Sequence, residues 1–138
     1  MVSARGFSLL ELTIAIAVVG ILATGAITAI NVPKQLQKAR DGTKKSDVAK
    51  IQAAFELYRA DLRSYPTAAT YNGVACGQSF AAGSPSVIYL TRMPCSPGSN
   101  PQKYTYTPVG SPPQTYTLTA TLENNSDSSY PTYTVSNP

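Results

Sequence analysis

Residues 12–30 carry no charge, and as a helix they span about 28 Å, close to the roughly 30 Å hydrocarbon core of a bilayer. Ile14, Ile16, Val18, Val19, Ile21, Leu22, Ile27 and Ile30 leave no polar face. A helix apolar all round belongs in lipid or in the middle of a bundle. The run also limits what the rest of the chain can be. The protein has 138 residues and is 43% hydrophobic, but much of that share lies before residue 33. The remainder, rich in Thr, Ser, Pro, Gly and Tyr, can bury only a modest core and gains from a staple or a partner.

An ordinary secretory signal peptide fits this start poorly. The segment before the run, MVSARG, is short and holds one basic residue, and the apolar run exceeds a typical h-region. Cleavage near Ala23 or Ala26 is the alternative that the small residues allow. Glu11 decides more. A carboxylate at the start of such a run costs several kcal/mol (order of magnitude) unless it is neutralised, paired or snorkels to the interface.

Gly6-Phe7-Ser8-Leu9-Leu10-Glu11-Leu12, followed by an apolar helix, resembles the class III signal of type IV prepilins and type II secretion pseudopilins. The resemblance implies that a prepilin peptidase cuts between Gly6 and Phe7 and that the new amine is methylated. It also implies polymerisation with identical subunits into a helical filament, a pilus (fimbrium) or a secretion pseudopilus, on an inner-membrane assembly platform. Before assembly the subunit would sit in membrane lipid as a single-pass protein, N-terminus cytoplasmic and head outside. The Phe7 ammonium of one helix would then meet the Glu11 carboxylate of a neighbour, each charge finding its opposite where the dielectric is low. The charge-topology rule points the other way. Arg5 stands alone before the span while Lys34, Lys38, Arg40, Lys44 and Lys45 follow it. The cleavage motif is the more specific signal.

Beyond the span the chain reads as a continued helix. Val48, Ile51, Phe55, Tyr58, Leu62 and Tyr65 make an apolar stripe at steps of three and four, and Tyr65-Pro66 ends it. Pro33 removes a helical hydrogen bond, so a kink is expected there, and Gly20 and Gly25 weaken the helix before it. Family pilins commonly carry Pro where Thr28 stands here. Residues 34–47 are polar on every side and read as a solvated neck or a surface packed among neighbouring subunits.

After Pro66 a long loop is expected, with a short ordered piece near residues 87–90. Strict alternation follows at Tyr104 and Tyr106, at Tyr116, Leu118, Ala120 and Leu122, and at Tyr133 and Val135. Turns are expected at 110–113 and 124–129, which makes a three-stranded antiparallel sheet with one face on the helix stripe. The fold class is α+β: a long N-terminal helix, its first half hydrophobic and transmembrane and its second amphipathic, packed on a small sheet. The resemblance implies the pilin fold, divided as a leader at 1–6, an assembly helix at 7–32, an amphipathic continuation at 33–65 and a head at 66–138.

Cys76 and Cys95 read as one disulfide on an exported head, worth about 3 kcal/mol in the chain-entropy model, or as two free structural thiols. Tyr89-Leu90, Pro94, Pro97, Asn100-Pro101 and Tyr104 resemble a run of the major pseudopilin, with Ser96 where that run has Asp. The cysteines do not bracket the C-terminal end, as they do in many Gram-negative major pilins.

The sequence has no histidine, glycine-rich phosphate loop or zinc motif, so catalysis is not expected. No cofactor is expected either. Some pseudopilins bind calcium before the last strand, and Glu123, Asn124, Asn125 and Asp127 offer oxygens there, although two carboxylates are few for calcium. The net charge of +4 arises between residues 34 and 63, where eight basic residues face four acidic ones. That stretch could touch anionic lipid or nucleic acid, as a minor or competence pilin would, or be a helix solvated through charge pairs.

Overall fold

The computed structural model describes residues 6–29, 31–98 and 102–137, and of these all side chains except 25–29. The expected leader up to Arg5, the apolar side chains of Ile27 and Ile30, and the Asn100-Pro101 pair lie outside the described residues. Helix α1 runs Leu9–Ala29 and helix α2 runs Val32–Leu62. Instead of a kink at Pro33 there is an end and a new start. Asn31 caps α2, its Oδ1 accepting from the Lys34 N–H at 3.3 Å and its carbonyl from the Gln35 N–H at 3.2 Å. Pro33 therefore falls in the first turn, where its missing N–H removes no helical bond.

The chain forms two compact units, Met1–Gln35 and Leu36–Pro138. In the second, α2 ends earlier than Tyr65-Pro66 suggests. Arg63 takes a left-handed conformation with φ 58°, which stops the helix at Leu62. Leu62 is consequently 40% exposed, whereas Tyr65 turns inward off the helix and is buried. Two elements follow that the loop reading did not include, a helix over Ala68–Asn72 and a strand over Phe80–Ala82, and the ordered piece expected near residues 87–90 is present. Helix α3, Ala68–Asn72, is capped by Thr67, whose side chain accepts from the Thr70 N–H. Strands β1 (Phe80–Ala82) and β2 (Val87–Leu90) form a two-stranded antiparallel hairpin. Gly77 N–H donates to the Met93 carbonyl at 2.8 Å and Met93 N–H to Gln78 at 2.7 Å. These bonds lead to the Cys76–Cys95 disulfide, with Cα atoms 5.6 Å apart, which closes the open end of the hairpin.

The expected sheet is present as β3 (Thr105–Gly110), β4 (Pro113–Thr121) and β5 (Thr132–Ser136), antiparallel in that order. Gly110 at φ 97° makes the first turn, and a Cβ there would meet the Pro112 carbonyl oxygen at 3.2 Å. Alternation does what the pattern implies: Tyr116, Leu118 and Ala120 are buried while Thr117 and Thr121 are exposed.

Phe55, fully buried, is the centre of the core. Its ring meets Tyr71, Phe80, Tyr106 and Tyr116 edge-on at centroid distances of 4.9–5.8 Å. One side chain of α2 thus touches α3, the hairpin and two strands of the sheet. Tyrosine hydroxyls at the rim reach backbone carbonyls, Tyr71 to Tyr104 at 2.9 Å and Tyr106 to Pro66 at 2.7 Å. We expect Phe55→Ala to destabilise the head by about 3–5 kcal/mol, near the whole stability of many small domains. Denaturant unfolding of the full-length chain in detergent, followed by tyrosine emission, measures this. A loss under about 1 kcal/mol would place the core's centre elsewhere.

Candidate functional site

The first unit presents an apolar surface without a cover. Every side chain described between residues 6 and 24 is exposed, Phe7 by 81% and Leu9 by 83%. The Ser8 carbonyl accepts the first helical bond, from the Leu12 N–H at 3.1 Å. Thr13 and Thr24 turn their hydroxyls back onto the carbonyls of Leu10 and Gly20, at 2.8 and 2.9 Å. These polar groups are satisfied within the helix and can enter an apolar environment at little cost. Glu11 differs. It lies in the first turn of α1, where a carboxylate is favoured by the helix dipole, and among the described residues it makes no hydrogen bond or ion pair. At Gly6 an added Cβ would meet nothing within 4 Å among the described residues. The described residues therefore do not demand glycine there.

No helix among the described residues is long and apolar enough to cross a membrane. Side chains are described in α1 only up to Thr24, so the expected 12–30 span lies partly outside them.

A second constellation was not legible as such. Residues 34–47, expected to stay solvated or to wait for other subunits, bury Asp41, Lys44 and Asp47 within the head. Asp41 accepts the Glu123 N–H on both oxygens, at 3.0 Å each, and the Asn124 N–H at 2.8 Å. Lys44 Nζ donates to Asp41 at 3.2 Å and to Glu123 at 2.8 Å. Arg40 Nε donates to the other Glu123 oxygen at 2.8 Å, and Lys45 Nζ reaches both oxygens of Asp127 at 2.8 and 2.7 Å. The clasp fixes the turn between β4 and β5 onto α2. Asp41 and Lys44 continue the stripe of Val48, Ile51, Phe55 and Tyr58 backwards at the same steps of three and four, a spacing that puts them on the core face but looks the same for solvated charges.

This arrangement bears on two expectations. Glu123 and Asp127, the proposed calcium ligands, face protein cations instead. The residues described include no group of three or more His, Cys, Asp or Glu side chains that could hold a metal ion. Of the basic residues that could meet phosphate or pair within the helix, Arg40, Lys44, Lys45 and Lys50 all donate to carboxylates of the same chain. A cleft of about 610 Å³ beside the disulfide is lined by Asp47, Lys50, Arg92 and Met93. Asp47 accepts there from Lys50 at 3.0 Å and from the Tyr104 hydroxyl at 3.1 Å.

Residues 1–27 match the family described as the prokaryotic N-terminal methylation motif. The chain is similar to the type II secretion system core protein G of Pseudomonas aeruginosa, 29% identical over 121 residues covering 83% of this chain and 82% of that protein. It is 30% identical to the protein of the same name from Aeromonas hydrophila over 100 residues, 70% of this chain and 68% of that one. It is 29% identical to that of Escherichia coli over 102 residues, again 70% and 68%. No solved structure gives a significant match.

The clasp predicts a response to acid. Hydrogen bonds from Arg40 and Lys44 hold the Glu123 carboxyl down from 4.5 to about 2. A group whose folded value is depressed adds stability that is complete above its unfolded value and is lost as pH falls through the folded one. Here that window runs from about pH 5 to about pH 2. The Glu123 side chain is 33% exposed, and solvent screening reduces its share to about 1–2 kcal/mol. Glu123→Gln should be less stable near neutrality and lose less on acidification, as read by denaturant midpoints across that range. An acid profile as steep as that of the natural chain would show that Glu123 is not the titrating group.

Proposed function

Because the chain belongs to the family of the type II secretion system core protein G, we propose that it is a structural subunit of a secretion pseudopilus. It is made as a precursor, cut between Gly6 and Phe7, and polymerised through α1. The observation that carries this reading is the surface of α1. Apolar side chains all round a helix need lipid first and neighbouring helices afterwards. The partners are a prepilin peptidase, the assembly platform and further copies of the chain, with the head outside the membrane. Pairing of the clasp's cations within the chain favours this over a nucleic-acid-binding minor pilin.

Processing is tested at Gly6. Space around this glycine is open among the described residues, so Gly6→Val should leave the head folded and abolish cutting. Intact mass and N-terminal sequencing of the natural exported protein should give a methylated Phe7 terminus. A terminus near Thr24, or Met1 in assembled material, would reject the reading.

Assembly is tested at Glu11. The cleaved Phe7 amine is the cation this carboxylate would meet in a neighbouring subunit. Glu11→Ala removes the carboxylate and leaves that ammonium without its partner in the filament core, at a cost of about 3–5 kcal/mol per contact. Filaments sheared from cells should be absent or much shortened, while processed subunit accumulates in the membrane. Normal filament yield and length would mean that Glu11 only snorkels.

A further inference from the structure

The six charges that join residues 40–45 to the turn after β4 sum to zero, since Arg40, Lys44 and Lys45 face Asp41, Glu123 and Asp127. Lys44 is at the centre, with 4% of its side chain exposed, between Asp41 at 3% and Glu123. Asp41 holds the backbone N–H groups of Glu123 and Asn124, and the buried Asn124 holds the Ser126 N–H at 3.2 Å. A buried carboxylate beside two half-buried ones, backbone folded around them and a central cation are the parts of an ion-ordered loop. Here the cation belongs to the chain.

We infer that the Lys44 ammonium is the resident cation of the turn between β4 and β5, and that the head orders this turn without calcium. The residues present do not fit the metal. Calcium takes six to eight oxygens, and the carboxylate oxygens here are engaged by ammonium, guanidinium and amide donors. A divalent ion joining the cluster would leave two surplus positive charges beside a nearly water-free ammonium. Displacing Lys44 instead would strip that ammonium of both carboxylates. Asp41 could turn to a metal only by releasing the amides that shape the turn.

The test uses the full-length chain in detergent, stripped of metal with EDTA, with calcium and terbium as the probes. The natural chain should melt within about 1 °C of the same midpoint in EDTA and in millimolar calcium. Terbium should give no saturable emission through the chain's nine tyrosines. A calcium-induced rise on the order of 10 °C, which a ligand at 100-fold its Kd would produce, would overturn the inference. So would saturable terbium emission displaced by calcium. Lys44→Met should lower the midpoint by on the order of 10 °C in both conditions, and a midpoint equal to the natural chain's would also overturn it. Should Lys44→Met yield no folded protein, Lys44→Arg keeps the question open to measurement. Restoring the cation should restore folding and indifference to calcium, and a calcium requirement in that variant would count against the resident ammonium.

Discussion

One face of α2 holds the head together, and it uses two kinds of interaction along a single period. From Val48 to Tyr58 the face is apolar and meets an aromatic core through Phe55. One and two turns earlier the same face carries Lys44 and Asp41, and the contact becomes ionic. The helix alone cannot bury either part. The aromatic part waits for tyrosines that arrive from α3, β3 and β4, and the ionic part for a turn some eighty residues away. Folding the head is therefore largely a matter of closing distant segments onto one prepared helix face, with loop entropy opposing each closure.

What could be read in advance follows from which signals are periodic. The alternation of Tyr116, Leu118 and Ala120 against threonines and the stripe of α2 both record burial on one face; the strand stands where the pattern put it, and the stripe holds from Val48 to Tyr58 before α2 stops at Leu62. The Cys76–Cys95 pair is joined as expected. Elements that the reading omitted carry no period. Helix α3 has five residues and rests on the Thr67 cap; β1 has three and is held by its partner and the disulfide. Pro33 resembles a defect in a continuous helix until the Asn31 cap sets it in the first turn of α2. The clasp was missed for another reason. Charged residues at helical spacing look alike whether they face water or a buried turn, and the sequence around 41–45 does not say that amides of residues 123 and 124 will come to meet them.

The two units answer their surfaces differently. In residues 36–138 an aromatic and apolar core and nearly all buried polar groups find partners inside the unit, the Tyr116 hydroxyl being an exception among the described side chains, although Leu57, Ile88 and Val109 stay exposed. In α1 the hydroxyls are satisfied locally but the apolar surface is not, and Glu11 has no partner among the described residues. A chain built this way has a head that can complete itself and a segment that cannot. The second is what an assembling subunit needs, because unsatisfied surface is the driving force for association.

The clasp raises the question of why charges are buried where apolar side chains would do. Buried ion pairs seldom stabilise a fold more than a well-packed apolar replacement, since desolvation offsets much of the attraction. In this cluster, however, two of the groups being satisfied are backbone amides, and no substitution on α2 removes them. Whatever occupies position 41, the N–H groups of Glu123 and Asn124 remain in the turn, and leaving each without an acceptor costs about 1–3 kcal/mol. A leucine at 41 and another at 44 would avoid the ionic desolvation and lose those acceptors. Asp41 is thus retained by geometry: it is the acceptor the turn requires. Lys44 follows from Asp41, because a carboxylate only 3% exposed needs a counter-charge at hand. The same ammonium then captures Glu123, and Lys45 extends the grip to Asp127. The charge network grows outward from two amides, so a stretch of sequence that looks like a solvated neck becomes the clamp that sets where the last strand begins.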